Sequence, residues 1–390
     1  MGFLKYNFII SFVSLFIFGC APSLIKINVY PDLEPNLQYG KIAERNFFYP
    51  IKINPQLIER WETSINGGFA FSSISAYDST LFVNDLSGRI YCFSTAKGKT
   101  LGLLKYKGAV FTTPVIHKSK IIFAVASEKE NISVIYFYDF KNGKEIASKE
   151  AAGKITNQLV LLDDGVCALS ENGVLYKLSF TGEILWQYDT KSFCHSSPSS
   201  YSNYIAFGND EGEIICIGLN DSALKNTSNY KLIYRRKIGN AFLGGTVISE
   251  NQIFIDDANG KLYSIDLITG SVNWSFNSGY KITMEAVAAE NYIYFGNLKG
   301  EFFKLSRQDG SIIWKSQTKG LLNITPLLTD NFIILPDGNR KLHFVDKEKG
   351  EIIKSFSFDG RLKLNPVIKN NLLFIGYDNG ILKAYEINNN

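Results

Sequence analysis

Histidine and methionine are almost missing from this chain of 390 residues, with three copies of the first and two of the second. His117, His195 and His343 stand far apart, with no His-x-His pair and no zinc spacing, which argues against a metal centre. Cysteine is scarce too. Cys20, Cys92, Cys167, Cys194 and Cys216 are never adjacent and never two residues apart, so no C-x-x-C-H haem attachment is present. Excess charge is also lacking: 41 basic against 37 acidic residues leaves +4, too little for an electrostatic nucleic-acid binder, and no DNA or RNA partner is expected. Alanine is sparse and no apolar run reaches the roughly 20 residues of a spanning helix. What remains plentiful is 29 Phe, 21 Tyr and 32 Gly, which suits pleated, half-buried strands joined by tight turns. With 45% hydrophobic positions the chain can bury a large core, which excludes a disordered protein.

The chain opens with Lys5 and an apolar run from Tyr6 to Phe18, which reads as an export signal over residues 1–19. Its end, Ile17-Phe18-Gly19-Cys20, resembles the bacterial lipoprotein signal, and that resemblance implies a diacylglyceryl group on the Cys20 thiol and cleavage before it. Ala21 is not the Asp that retains such proteins at the inner membrane, so the implied location is the outer membrane, facing the periplasm, in a cell that has one. Residues 20–57 hold Pro22, Pro31, Pro35, Pro50 and Pro55, half of the ten prolines, and show no sustained periodicity. They read as a tether with a reach on the order of 100 Å, in which Asn46-Phe47-Phe48-Tyr49 is the stretch able to pack back on the domain.

Residues 58–390 repeat. NGKLYSIDLITGSVNW (259–274) and KGEFFKLSRQDGSIIW (299–314) superimpose at a shift of forty, and related segments begin near 87, 172, 339 and 379. The glycines that open the unit, or their substitutes, are Gly88, Ser133, Gly173, Gly212, Gly260, Gly300, Arg340 and Gly380. Eight units follow. Asn203, Asn251, Asn291, Asn331 and Asn371 precede an apolar strand in the same phase, as left-handed residues of two-residue hairpin turns would. Upstream lies an innermost strand of small residues and proline: Thr113-Pro114, Ser197-Pro198, Thr325-Pro326 and Asn365-Pro366, answered by Gly245-Thr246 and Glu285-Ala286.

Each unit therefore reads as four antiparallel strands, the last bearing Trp186, Trp274 or Trp314 in three of them. Four strands in eight units make an all-β, eight-bladed β-propeller. The last unit stops before its outer strand, while Trp61-Glu62-Thr63-Ser64 is a spare outer strand ahead of the first. The N-terminal strand is expected to complete the last blade and close the ring.

The unit resembles the PQQ-type propeller repeat: Leu262-Tyr263-Ser264-Ile265-Asp266, Thr269-Gly270 and Trp274 match its Leu-Tyr-x-Leu-Asp, Thr-Gly and Trp. WD40 repeats are excluded because no Trp is followed by Asp. With a lipid anchor and an N-terminal closing strand, the chain resembles the BamB family of lipoproteins. That resemblance implies a non-enzymatic scaffold of the outer-membrane barrel-assembly machine, with the barrel-assembly protein BamA as its partner and no cofactor. It also implies a docking frame on the loops entering the fourth and fifth units. Lys191, Ser192 and Phe193 fill the first part of that frame, and Phe242, Leu243 and Gly244 stand where the family carries acidic residues. These six are the candidate partner contacts.

Two other functions stay open: a partner-binding PQQ-repeat lipoprotein outside that machine, and a binder of quinone or sugar in the central channel. Enzymatic owners of the repeat present adjacent cysteines and Ca²⁺-ligating carboxylates, and this chain has no adjacent cysteine pair. Cys92 and Cys216 sit four residues after their units' glycines, on separate blades, and are expected to be core thiols without a disulfide. Cys194-His195 reads as an exposed loop, and Asp163-Asp164 and Asp256-Asp257 as turn residues. Glu285 is the one carboxylate among the small inner-strand residues, expected on a solvated channel wall.

Overall fold

A computed structural model describes residues 24–28, 30–219 and 230–387. Among them are eight four-stranded antiparallel sheets, in seven of which strand order follows the chain. The eighth joins Ile58–Ser64 to Ile381–Glu386, so the first strand of the chain is the outer strand of the last blade. No helix among the described residues is long and apolar enough to cross a membrane.

Blade 5 shows why the repeat folds this way. Its strands are Val247–Ser249, Gln252–Asp256, Lys261–Asp266 and Val272–Asn277, from the axis outward. Between the second and third, the Asp257 carboxylate accepts the N–H groups of Asn259 and Lys261 (3.0 and 3.1 Å), and Gly260 takes the left-handed φ of 81° that closes the turn. Asp85, Asn209, Asn297 and Asp337 cap the equivalent turns of other blades in the same way. The Gly and Trp of the repeat meet between blades. Trp274 packs on Gly310 of blade 6, where a Cβ would lie 2.6 Å from the indole, and its Nε1 donates to Arg307 O (2.8 Å). Trp314 repeats this on Gly350 of blade 7, and Trp61 does so on Gly98, tying blade 8 to blade 1.

Two expectations need correction. The two-residue turns are present, but in three of them the left-handed residue is the one before Asn: Ser202, Glu250 and Glu290 have φ near 54°, and in blade 8 both Asn370 and Asn371 are positive. A type II′ arrangement needs positive φ only at its first position, which leaves Asn free at the second. The prolines, in turn, stand just ahead of the innermost strands, which begin at Val115, Ser199, Leu327 and Val367. Lacking an N–H, proline is better tolerated in the incoming connection than in the ladder.

The largest correction concerns residues 20–57. Over the described residues this segment packs on the ring instead of hanging free as a tether. Ile25 is buried beside Gly102 of blade 1, and its carbonyl accepts from the Tyr138 hydroxyl of blade 2 (2.9 Å). The chain then runs to the axis and circles it. Inner-strand N–H groups of Ala76, Ile116, Ser200, Ile248 and Leu328 donate to the carbonyls of Asn36, Leu37, Ala43, Glu44 and Phe47, at 2.8 to 3.1 Å. Leu161 N donates to Gln38 Oε1 (2.8 Å). Each of these donors lies on the free, axial edge of a blade, where an unmatched N–H is costly. The segment is a plug, and it visits blades 1, 2, 3, 4, 5 and 7 in chain order. It lies on the face carrying the turns between first and second and between third and fourth strands, here the plug face. The opposite face carries the connections from one blade to the next, here the loop face.

Candidate functional site

The channel mouth on the loop face is built by register. The residue two places ahead of each innermost strand forms an inner ring: Ser73, Thr113, Gln158, Ser197, Gly245, Glu285, Thr325 and Asn365. Four neighbouring pairs in this ring are stitched together, the N–H of one donating to the side chain of the next blade, and Asn365 N donates to the Ser72 carbonyl (2.9 Å). Ser73 donates to Thr113 Oγ1 (2.9 Å), Thr113 to Gln158 Oε1 (2.8 Å), Gln158 to Ser197 Oγ (3.0 Å) and Glu285 to Thr325 Oγ1 (3.0 Å). Four places ahead of each strand lies an outer ring that includes Phe71, Thr156, His195, Leu243, Thr283 and Asn323. The two rings enclose a cavity of about 530 Å³, with Leu298 and Leu321 on its rim and Tyr39 of the plug at its floor.

Blade 5 interrupts the stitching, because Gly245 has no side chain to offer. The gap is filled from the plug. Arg45, 2% exposed and at φ 65°, reaches across to pair with Glu285 (Nη1 to Oε1, 2.6 Å) and donates to Gln158 O (3.4 Å). A Cβ on Gly245 would overlap Glu285 Oε1 and lie 2.5 Å from Arg45 Nη1, so only glycine leaves room for the ion pair. Glu285 is therefore not on a solvated wall, as expected from its position; its carboxylate is buried beneath the plug, and burial raises its pKa against the pull of Arg45. Asp256, behind Gly244, is pushed up to about 8 by burial and then by Glu285. Asp257 is a turn residue; Asp256 is a buried acid that the sequence reading missed.

The six partner candidates separate. Phe193 is 63% exposed, Lys191 projects beside Asp189 (2.6 Å), and Leu243 is 40% exposed on the cavity wall with Gly244. Ser192 is buried, donating to Glu211 (3.0 Å) and accepting from Arg235 (3.2 Å). Phe242 is fully buried, edge-on to Tyr263 and pressed against Gly208. Neither Ser192 nor Phe242 is free to touch a partner, because both fill the seam between blades. The exposed apolar residues that sequence reasoning missed are Phe71, Tyr280, Leu298 and Leu321. Phe71 alone had a signal, the outer-ring register, where it and Leu243 stand in positions that blades 3 and 6 fill with Thr156 and Thr283; Tyr280, Leu298 and Leu321 lie off that register. Cys20 lies outside the described residues.

The cavity does not fit a metal-assisted quinone. Its one carboxylate is engaged by Arg45, and among the described residues no three His, Cys, Asp or Glu side chains are placed to hold a metal ion. Cys92, Cys167, Cys194 and Cys216 are free, separate and buried, with thiols pushed up to about 12 by burial. Cys194 is thus core, not part of an exposed loop; its neighbour His195 points out and pairs with Asp210 (2.8 Å).

A sequence profile described as outer membrane protein assembly factor BamB matches residues 58–276, 133–316 and 276–357. A search of curated protein sequences gives no match. Among solved structures, BamB from Moraxella catarrhalis is similar at TM-score 0.69 and 16% identity, over 85% of this chain and 100% of that one. The computationally designed Ika8 protein aligns at TM-score 0.71 and 13% identity, over 84% and 99%. The quinohemoprotein alcohol dehydrogenase ADHIIG of Pseudomonas putida HK5 aligns at TM-score 0.74 and 11% identity, over 90% and 80%. At these identities the structures share the fold, and the fold alone carries no activity.

Proposed function

Because this chain belongs to the outer membrane protein assembly factor BamB family, we propose that it is a non-enzymatic, lipid-anchored scaffold that binds a protein partner through its loop face. Diacylglyceryl on Cys20 supplies the membrane attachment in this reading, and the barrel-assembly protein BamA is the partner the family points to. The observation that carries it is the set of exposed apolar side chains on the loop face, Phe71, Leu243, Leu298 and Leu321 at the channel mouth with Phe193 and Tyr280 on the same face. Apolar groups left in water around a polar cavity fit a partner surface, whose binding energy concentrates in a few such anchors. The test is a pull-down from solubilised membranes with wild type and with Phe193→Ala/Leu243→Ala. Both side chains are exposed, so folding should be unchanged while partner binding falls about thirtyfold or more. Equal recovery of the barrel-assembly complex by both would move the contact elsewhere. A second reading, a neutral polar ligand such as a sugar in the cavity, is favoured by the amides and hydroxyls of Asn157, Gln158, Asn323, Asn365, Thr283 and Thr325.

A further inference from the structure

The plug changes how far the ring can stand from its anchor. From Cys20 to Leu24, the first residue described, is four residues, a reach of about 14 Å. The next residue, Ile25, is already buried between blades 1 and 2. A group attached at Cys20 therefore holds this sector of the plug face close to itself, in place of the long reach expected from residues 20–57.

The surface at that point has two properties that suit a lipid bilayer. Leu24, Tyr30 and Leu33 are exposed, Leu33 by 98%, along the segment that enters there. Around it, the turns of blades 1 and 2 present exposed lysines, Lys97, Lys99, Lys118, Lys141 and Lys144, joined by Lys26 of the segment itself. Exposed Glu34 is the acid on the segment, since Asp32 is paired with Lys369 (2.6 Å). Away from this sector the lysines thin out: the first turns of blades 3 and 7 carry exposed Asp163 and Asp330, and those of blades 5 and 6 carry Glu250 and Glu290, paired with Arg307 and Lys347 (3.1 and 3.0 Å), while Asp78 in the first turn of blade 1 is half-buried and accepts the Tyr30 N–H (3.2 Å).

We propose that the plug face beneath blades 1 and 2 seats on an anionic lipid surface, with Leu24, Tyr30 and Leu33 at the headgroup boundary and the surrounding lysines over the headgroups. This rests on the lipid-anchor reading of Cys20. Apolar side chains at the interface combined with basic residues near anionic lipid form a recurrent pattern of membrane seating. The seat points the loop face, with Phe193 and Leu243, away from the bilayer toward a partner.

The full-length chain, reconstituted in vesicles of phosphatidylethanolamine and phosphatidylglycerol with nitroxide on the lipid chains, is labelled with bimane at Tyr30→Cys, Asp330→Cys or Phe193→Cys. Native thiols in the described ring are buried, so labelling is selective. Quenching should be strong at position 30, weak at 330 and lost at 193. Equal quenching at 30 and 330, or strongest quenching at 193, overturns the seat. No quenching at any position, with diacylglyceryl on Cys20 confirmed by mass, also overturns it while leaving the anchor intact. If the mass shows no diacylglyceryl, the anchor reading itself fails, and the seat is judged on the unlipidated Cys20→Ser chain by vesicle flotation. There Lys97→Glu/Lys141→Glu, at exposed positions, should lower partition at least about tenfold; flotation unaffected by that change, or absent from the start, overturns the seat.

Discussion

The two ends of the central channel solve one problem by different means. On both faces the innermost strands offer unpaired backbone donors to the axis. On the loop face four of these are met by side chains of the neighbouring blade, Thr113, Gln158, Ser197 and Thr325, and those of Thr246 and Asn365 by the carbonyls of Ser197 and Ser72. On the plug face they are met mostly by main-chain carbonyls of residues 36–47. The side-chain solution ties blades in pairs and leaves the mouth open. The main-chain solution ties six blades through one strand of chain and shuts the other end.

The largest change is expected on removing the plug. Replacing residues 36–49 with a Gly/Ser linker of equal length strips the caps from inner-strand donors of six blades and removes the buried Tyr39, Phe47 and Tyr49 side chains. The expected loss is at least about 5 kcal/mol of unfolding free energy, read from denaturant titration. An unchanged midpoint would make the plug an ornament and the two ends equivalent.

A smaller effect is expected at Asp256, beside the place where plug and ring of side chains meet. With its folded pKa pushed up to about 8, Asp256 keeps in the native state a proton that the unfolded chain releases near 4. Its contribution is therefore fully present below pH about 4 and is lost as pH rises through about 8. Asp256→Asn should flatten that decline and exceed wild type at pH 9 by on the order of a few kcal/mol. Melting curves at pH 5, 7 and 9 check it, and parallel curves for the two proteins would show that Asp256 ionises normally.

The smallest expected effect is a single link on the loop face. Thr113→Val keeps shape but leaves the buried Ser73 N–H without its acceptor, for a loss of about 1–3 kcal/mol. Chemical denaturation measures it; a neutral result would mean that the link between blades 1 and 2 rests on packing.

The same contrast decides what could be read from the amino-acid order. The side-chain solution leaves a trace, because Thr113, Ser197 and Thr325 recur in phase before proline, and Glu285 stands out among them. The repeat likewise exposed the blades, their number and the closing strand, since the turn glycines recur in phase and Trp meets Gly at three of the seams. The main-chain solution leaves none. Any residue can lend a carbonyl, so residues 36–47 show no period, and the prolines on either side of them read as a tether. Side chains hint at the plug only in Asn46-Phe47-Phe48-Tyr49, whose aromatics read as able to pack back and of which Phe47 and Tyr49 are buried, and in Arg45, which is legible only once Glu285 is seen opposite it. Phe242 failed for a related reason: a loop position does not say whether its side chain turns out, like Leu243, or into the seam.

The closing strand also sets a timetable. Ile58 pairs with Glu386, 386 − 58 = 328 positions later in the chain. A polypeptide made from its N-terminus produces this strand more than 300 residues before its partner emerges. Until then the Trp61 face and the outer edge of the last blade have nothing to rest on, and contacts of such long sequence separation form slowly. Growth of the ring is thus sequential while its locking is a single late event. Once locked, the first and last strands of the ring hold each other, so fraying at either must first open the eighth blade.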